Sequence, residues 1–387
     1  MKRMTKAGGV ACVLTGLAAG FSGLAAREIR LTPRSDWFAV LQGSGLAPGD
    51  EVVLGKGTYT DGRMLSISHR GTRERPIVIR GEGAIFRRPD ARQNSINLVG
   101  VQHLVLKDLE ITGGDTAIRI SKGNGFPAKF VTLEALHIHH VGGEGVTCNH
   151  VGNTYEGMHF LKNRIHHTGG HGEGFYLGGN HAKAIFHSSI VELNYIHHLN
   201  GPKVSQGDGI ELKHGSWGNI VRNNVIHDTK YPGIIVYGTR GKPRNVITGN
   251  RIWNTGDQGI QAAADAEITQ NRILYPAADG IHAKIHQGAE PGNLLIRDNW
   301  IRVRKGSRGL RINKPPKGYS GPVVLDGNRL EHEDGGVAIR VAPGKGLAIR
   351  GNRGKGRVEG MQLGVRQWDG SVGLTDVDAE IRHPALK

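Results

Sequence analysis

From about residue 100 to residue 352 the hydrophobic residues fall in short runs that alternate with polar ones. In residues 209–213, Ile210 and Leu212 take one side of the chain while Glu211 and Lys213 take the other. Residues 233–237, Gly-Ile-Ile-Val-Tyr, repeat the run with a more apolar outer side. A period of two marks a β-strand, whose successive side chains point to opposite faces. The runs belong to a larger unit: a strand with Asn-x-Ile/Leu, a turn, then a polar residue, Gly and Ile or Val. Its asparagines are Asn163, Asn194, Asn224, Asn250, Asn271, Asn299, Asn328 and Asn352, and its glycines Gly145, Gly174, Gly209, Gly233, Gly259, Gly280 and Gly309. Successive members lie 21 to 35 residues apart, a spacing that signals a solenoid. No amphipathic helix of useful length interrupts the units. Three short strands per turn of about two dozen residues is the arithmetic of an all-β, right-handed parallel β-helix.

A solenoid needs covered ends. Ser35-Asp36 followed by Trp37-Phe38-Ala39-Val40-Leu41 offers a polar start and a short apolar helix, so an N-terminal cap is expected over residues 33–45. Residues 46–86 read as the first coils. After about residue 353 the repeat is lost, and an irregular C-terminal cap is expected. Residues 27–387 therefore read as a single β-helix domain.

Composition adds to this picture. Aromatics are 5% of the chain and glycines number 60, which suits narrow, repetitively packed β structure better than a globular core. Lys2, Arg3 and Lys6 precede an uncharged apolar stretch ending in Leu24-Ala25-Ala26, the form of a signal peptide over residues 1–26. Its richness in Gly and Ala argues against stable membrane insertion, so a periplasmic or secreted monomer is expected. Cys12 would leave with that segment, and Cys148 alone cannot form an intramolecular disulfide. The net charge is +16; without Lys2, Arg3 and Lys6 it is +13. Such a surface attracts polyanions. Few aromatics and no stacking platform argue against nucleic acid, and an acidic polysaccharide fits the expected compartment.

The repeat also places the candidate chemistry. The asparagines are assigned to a buried hydrogen-bonded ladder. His166, His197 and His227, with His139 and His140, are assigned to a packing stack that continues to Trp253. Aligned on the residue after each glycine, the outward positions form two columns. The first is Thr147, Tyr176, Glu211, Ile235, Gln261, His282 and Arg311; the second includes Lys213, Tyr237 and Lys284. Coils about 4.8 Å apart put column neighbours within side-chain reach, so Tyr176, Glu211, Lys213, Tyr237, His282 and Lys284 are expected to share one strip. The competing reading is an ordinary solvated face of a basic protein. Just before the glycines, Glu144, Glu173 and Asp208 form a carboxylate column. Such charges repel unless a cation such as Ca²⁺ bridges Glu173 and Asp208, or unless Lys or Arg pairs with them or the turn is exposed.

At this point the sequence resembles the parallel β-helix polysaccharide lyases of the chondroitinase B and alginate lyase type. The likeness lies in Pro48-Gly49-Asp50-Glu51-Val52, Gly57-Thr58-Tyr59, Arg75-Pro76-Ile77-Val78-Ile79 and the central Asp208-Gly-Ile-Glu-Leu-Lys213-His214-Gly215. In that group an acidic calcium ligand precedes a catalytic lysine by five residues, a spacing that Asp208 and Lys213 keep. The group also carries an arginine on the next coil; Tyr237 occupies that outward position here, with Arg240 shortly after. Gln206 stands where a further acidic ligand would be. The short aspartate-rich signature expected of mannuronan epimerases is not evident.

The resulting expectation is an exported lyase that cleaves a uronic-acid-containing polysaccharide by β-elimination. Lys213 is expected as base and Tyr237 as acid or alternate base. Tyr176, Glu211, His214, Arg240, His282 and Lys284 are expected to hold the sugar, and Glu173 and Asp208 calcium. Two alternatives stand beside it. A glycoside hydrolase would use Glu211 with Asp208 or Glu173, and a polysaccharide-binding or exopolysaccharide-pathway protein would catalyse nothing.

Overall fold

A computed structural model describes residues 26–123 and 125–360, and in it the strands wind as a parallel β-helix. One face is a twelve-stranded sheet with one strand per coil, running from Ser66–Ile67 to Arg357–Glu359. The remaining strands join in a 25-stranded sheet that wraps the rest of the coil. We call the twelve-stranded sheet the site face.

The alternation seen in the sequence becomes the inside and outside of the coil. On the site face Val146, Phe175, Ile210, Ile234, Ile260, Ile281 and Leu310 pair in register and point into the core. Ile165, Ile196, Ile226, Ile252, Ile273, Ile301 and Leu330 do the same on an opposing strand set. Each such side chain contributes about 1.5–3 kcal/mol by leaving water. Cys148 sits in this core, fully buried and free.

The glycine column has a packing cause. A Cβ at Gly174 would come within 2.6 Å of the Gly209 carbonyl oxygen, and one at Gly209 within 2.3 Å of that of Gly233. Only hydrogen fits where neighbouring coils approach so closely. All eight asparagines named above form one ladder. Asn194 Nδ2, for example, donates to Asn224 Oδ1 at 2.9 Å and to the Phe160 carbonyl at 3.0 Å, while Asn224 Oδ1 also accepts from the Asn194 backbone N–H at 3.0 Å. The same pattern runs from Asn163 to Asn352.

The cap is the short helix Trp37–Gln42, where Asp36 Oδ1 accepts from the Ala39 N–H at 3.3 Å. It buries Trp37, Phe38 and Leu41, and Trp37 meets Tyr59 and Phe86 edge-on. At the far end the coil continues past residue 353, with Arg353–Lys355 and Arg357–Glu359 still in the ladders. Residues 1–25 of the expected signal segment and the tail beyond residue 360 lie outside the described residues. Among the described residues no helix is long and apolar enough to cross a membrane.

Candidate functional site

The site is built on the outer side of three consecutive strands of the site face: Phe175–Leu177, Ile210–Leu212 and Ile234–Val236. Their register places Tyr176 beside Glu211 and Glu211 beside Ile235. Lys213 and Tyr237 follow directly, each with its N–H bonded to the preceding coil at Leu177 and Leu212. The outward columns therefore stack as their spacing predicts.

Their side chains converge on one atom. Lys213 Nζ donates to Glu211 Oε1 at 2.5 Å, and the Tyr237 hydroxyl donates to the same oxygen at 2.9 Å. Lys213 Nζ also lies 4.3 Å from the centroid of the Tyr176 ring. Glu211 is the hub of this cluster.

Its other oxygen faces a different neighbourhood. Glu211, Glu173 and Asp208 bring carboxylate oxygens within 4.8 Å of one another. Glu211 Oε2 and both oxygens of Glu173 and of Asp208 are buried without a hydrogen-bond partner. Buried polar atoms are almost always satisfied, so five orphaned carboxylate oxygens in one place call for protons or a cation. Burial, with Glu211 and Glu144 nearby, pushes Glu173 up to about 8. Burial and the charges of Glu211 and Glu173 drive Asp208 upward as well. Hard anionic oxygens without competing protein donors suit a divalent cation of the calcium type. Asp279, in the same column, shows the other outcome: Arg308 and Arg311 approach it at 3.3 and 3.6 Å.

Two features set the chemistry of the strip. The strip is not a solvated face: Glu211, Tyr237 and Lys213 are 1%, 2% and 4% exposed. Loops cover it. Val204 packs against Gly172, and the turn 284–289 folds back so that the His286 ring lies 4.8 Å from that of Tyr237. Gln287 then clasps residues 180–181: its Nε2 donates to Asn180 Oδ1 at 2.9 Å and its Oε1 accepts from the His181 N–H at 3.3 Å. Secondly, Lys213 does not acquire the lowered pKa expected of a base. Burial favours its neutral form, but Glu211 and Tyr176 outweigh burial and the net shift is upward. Tyr237 is also raised, by burial and by Glu211. At rest both are proton donors.

The remaining expected residues spread out. His282 and Lys284 lie on the same columns but three coils beyond Glu211 and Lys213, roughly 14 Å away at the usual strand spacing. His282 faces Asp279 at 3.4 Å, and burial lowers it to about 4. Lys284 begins the covering turn. His214 is half-buried, and burial, then Arg240, lowers its pKa. Arg240 is exposed and makes no hydrogen bond or ion pair with the Glu211 cluster. Gln206 donates to His171 Nδ1 at 2.9 Å on the rim. His286 and Gln287 went unnoticed in the sequence, because they lie in a turn outside the repeat and make contacts that no spacing encodes.

A family model described as the right-handed β-helix region matches residues 77–242 and 144–353. No curated protein matches the chain. Among solved structures it is similar to an alginate lyase from Paenibacillus sp. strain FPU-7, at 20% identity and a TM-score of 0.51, over 76% of this chain and 96% of that one. It is similar to the PL6 family alginate lyase AlyGC at 17% identity and a TM-score of 0.56, over 90% of this chain and 54% of the other. It is also similar to XylC, solved with xylose, at 9% identity and a TM-score of 0.61, over 85% and 83%. At these identities the likeness is one of fold. Two overlapping matches that together run from residue 77 to residue 353, on a chain whose strands coil in register, place it plainly: it belongs to the right-handed β-helix family.

Proposed function

We propose that this chain is an exported polysaccharide lyase that cleaves a uronic-acid-containing polymer by β-elimination. The observation that carries the reading is the convergence of the Lys213 ammonium and the Tyr237 hydroxyl on Glu211 Oε1. β-Elimination takes a proton from C5 of the uronic acid and gives one to the departing O4. A lysine and a tyrosine bridged by a carboxylate supply both ends of that transfer.

The protons balance. Passing one proton from Lys213 to Glu211 leaves a neutral amine beside a protonated carboxyl. The amine takes the C5 proton, the C4–C5 double bond forms, and the C4–O4 bond breaks. Tyr237 protonates O4, and Glu211 returns a proton to Tyr237. The cycle ends with Lys213 charged, Glu211 ionised and Tyr237 protonated, as it began. Burial helps, because charge shared within a water-excluded cluster moves at little reorganisation cost.

Glu173 and Asp208, with Glu211 Oε2 within reach, would hold a calcium-type cation, and such an ion neutralises carboxylate charge next to the reacting centre. The chain's net charge of +16 favours an acidic polymer, and the alginate lyases that share the fold agree with the reading. Polymer enters once the turn 284–289 swings off Tyr237.

The hydrolase alternative draws on the same carboxylates, since Glu173 held protonated up to about 8 could serve as a general acid. A panel of acidic polysaccharides, followed by ultraviolet absorbance and by reducing ends, separates the readings. A lyase yields absorbing unsaturated ends on at least one polymer. Reducing ends without absorbance establish a hydrolase, and binding without product establishes a non-catalytic role.

A further inference from the structure

The stacked histidines are built in a way that packing alone does not require. In three successive coils a strand carries a pair of adjacent imidazoles at or near its end: His139–His140, His166–His167 and His197–His198. The fourth coil carries His227–Asp228. Neighbours on a strand normally point to opposite faces. Here the second member of each pair takes a left-handed backbone, with φ of 50° at His140, 52° at His167, 54° at His198 and 52° at Asp228. That turn brings both rings to the outside in two parallel columns. In the inner column His166 stacks on His197 at 4.7 Å; in the outer, His140 stacks on His167 at 4.8 Å. The outer rings are exposed.

Within each pair the rings stand nearly perpendicular, at 82° to 88°. Their Nδ1 atoms share a hydrogen bond of 2.8, 2.6 and 2.7 Å in the three coils. Two nitrogens each about 2.0–2.1 Å from a metal are about 2.9 Å apart at a right angle and about 3.4 Å apart in a tetrahedron. The hydrogen-bonded separation is close to the right-angled value, so a cation can replace the shared proton with little movement of the rings. Square-planar or tetragonal nitrogen coordination is the preference of copper(II) and nickel(II), with copper the tighter binder.

The three pairs are not equivalent. His139 Nε2 lies 3.2 Å from Glu110 Oε1, so its proton sits there and its Nδ1 lone pair accepts from the His140 Nδ1–H. Only exposed His140 must move its proton to Nε2, which faces water. A carboxylate orienting a histidine in this way is a recurrent support for metal ligands. In the third pair Arg164 donates to His197 Nε2 at 3.3 Å, which pins the His197 proton on Nδ1 and blocks chelation.

We propose that His139 and His140 form a chelating site for a copper(II)-class cation, oriented by Glu110, with His166–His167 as a weaker second rung. The site rests on ring nitrogens and is independent of the carboxylate cluster at Glu173.

The test uses the full chain without a histidine tag, stripped with chelator and titrated with copper(II) or zinc(II) by calorimetry and electron paramagnetic resonance. Copper should bind more tightly than zinc and show hyperfine splitting from two nitrogens. His140→Asn, which tolerates the same backbone, should weaken the tightest binding event at least about 100-fold, and Glu110→Gln about 10-fold. His198→Asn should leave it unchanged. Equal copper affinity in the wild type and His140→Asn would overturn the site. Zinc binding as tight as copper would overturn the right-angled geometry.

Discussion

Two stacks of polar side chains run through this molecule, and they differ in what they leave unsatisfied. Along one corner of the coil, eight asparagines pass hydrogen bonds from turn to turn, each amide spent on its neighbours and on backbone carbonyls. On the outer side of the site face, Glu173, Asp208 and Glu211 are buried just as deeply, yet five of their oxygens have no partner. The first arrangement is complete without a ligand and holds the fold. The second is complete only with protons or a cation. Asp279 shares the second column, but arginines neutralise it, and it belongs with structure.

The comparison can be broken most severely at Lys213, the cation within the unsatisfied stack. Lys213→Ala should abolish turnover and also destabilise the fold by roughly 3–5 kcal/mol, because it strands the Glu211 charge in the interior. Chemical denaturation measures the second effect; an unchanged midpoint would mean that the pair is solvated in solution. In the satisfied stack, Asn224→Ala removes the bonds of its side chain to the Asn194 N–H, the Asn194 Nδ2 and the Val191 carbonyl, and should cost about 3 kcal/mol. Turnover at a temperature where the variant is folded should be retained.

Glu173→Gln should act in the opposite direction. Without cation the native Glu173 titrates near 8 against an ordinary value near 4.5, so the folded state holds a proton that the unfolded state releases. Stability in chelator should therefore fall as pH rises through that window, and calcium should restore it. The glutamine variant should lose both the pH slope and the calcium response, as read by melting temperature from pH 5 to 8. A wild type that is flat across this range would remove the unpaired carboxylate from the account. Smallest is the effect of Gln287→Ala, which opens the clasp to Asn180. Stability should change by less than about 0.5 kcal/mol, since these groups are exposed. KM should fall with kcat nearly constant, because the covering turn then opens more readily.

Much of the fold was legible in the sequence because parallel stacking turns alignment into adjacency. Once Gly209 and Gly233 are read as equivalent, Lys213 must lie next to Tyr237, and the eight asparagines must form one column. The same logic put His282 and Lys284 on these columns, where they sit three coils along. Burial of the strip was not legible, because His286 and Gln287 reach it by crossing coils, with Gln287 meeting Asn180 across 107 residues. The sign of the Lys213 shift came from Glu211 and Tyr176 outweighing that burial, a balance that periodicity does not encode. The histidines read as packing because spacing reveals the stack but not the facing nitrogens.

The most direct test of the proposed centre is Tyr237→Phe, assayed by ultraviolet absorbance on the polymer that the wild type cleaves, with polymer binding measured in parallel. The substitution removes one hydroxyl from Glu211 and leaves the ring in place. Removing a positioned acid should slow the formation of unsaturated ends by about 10²–10⁴-fold while polymer affinity stays within a few-fold of wild type. A variant that forms product at the wild-type rate would show that the acid lies elsewhere and that the convergence on Glu211 is structural.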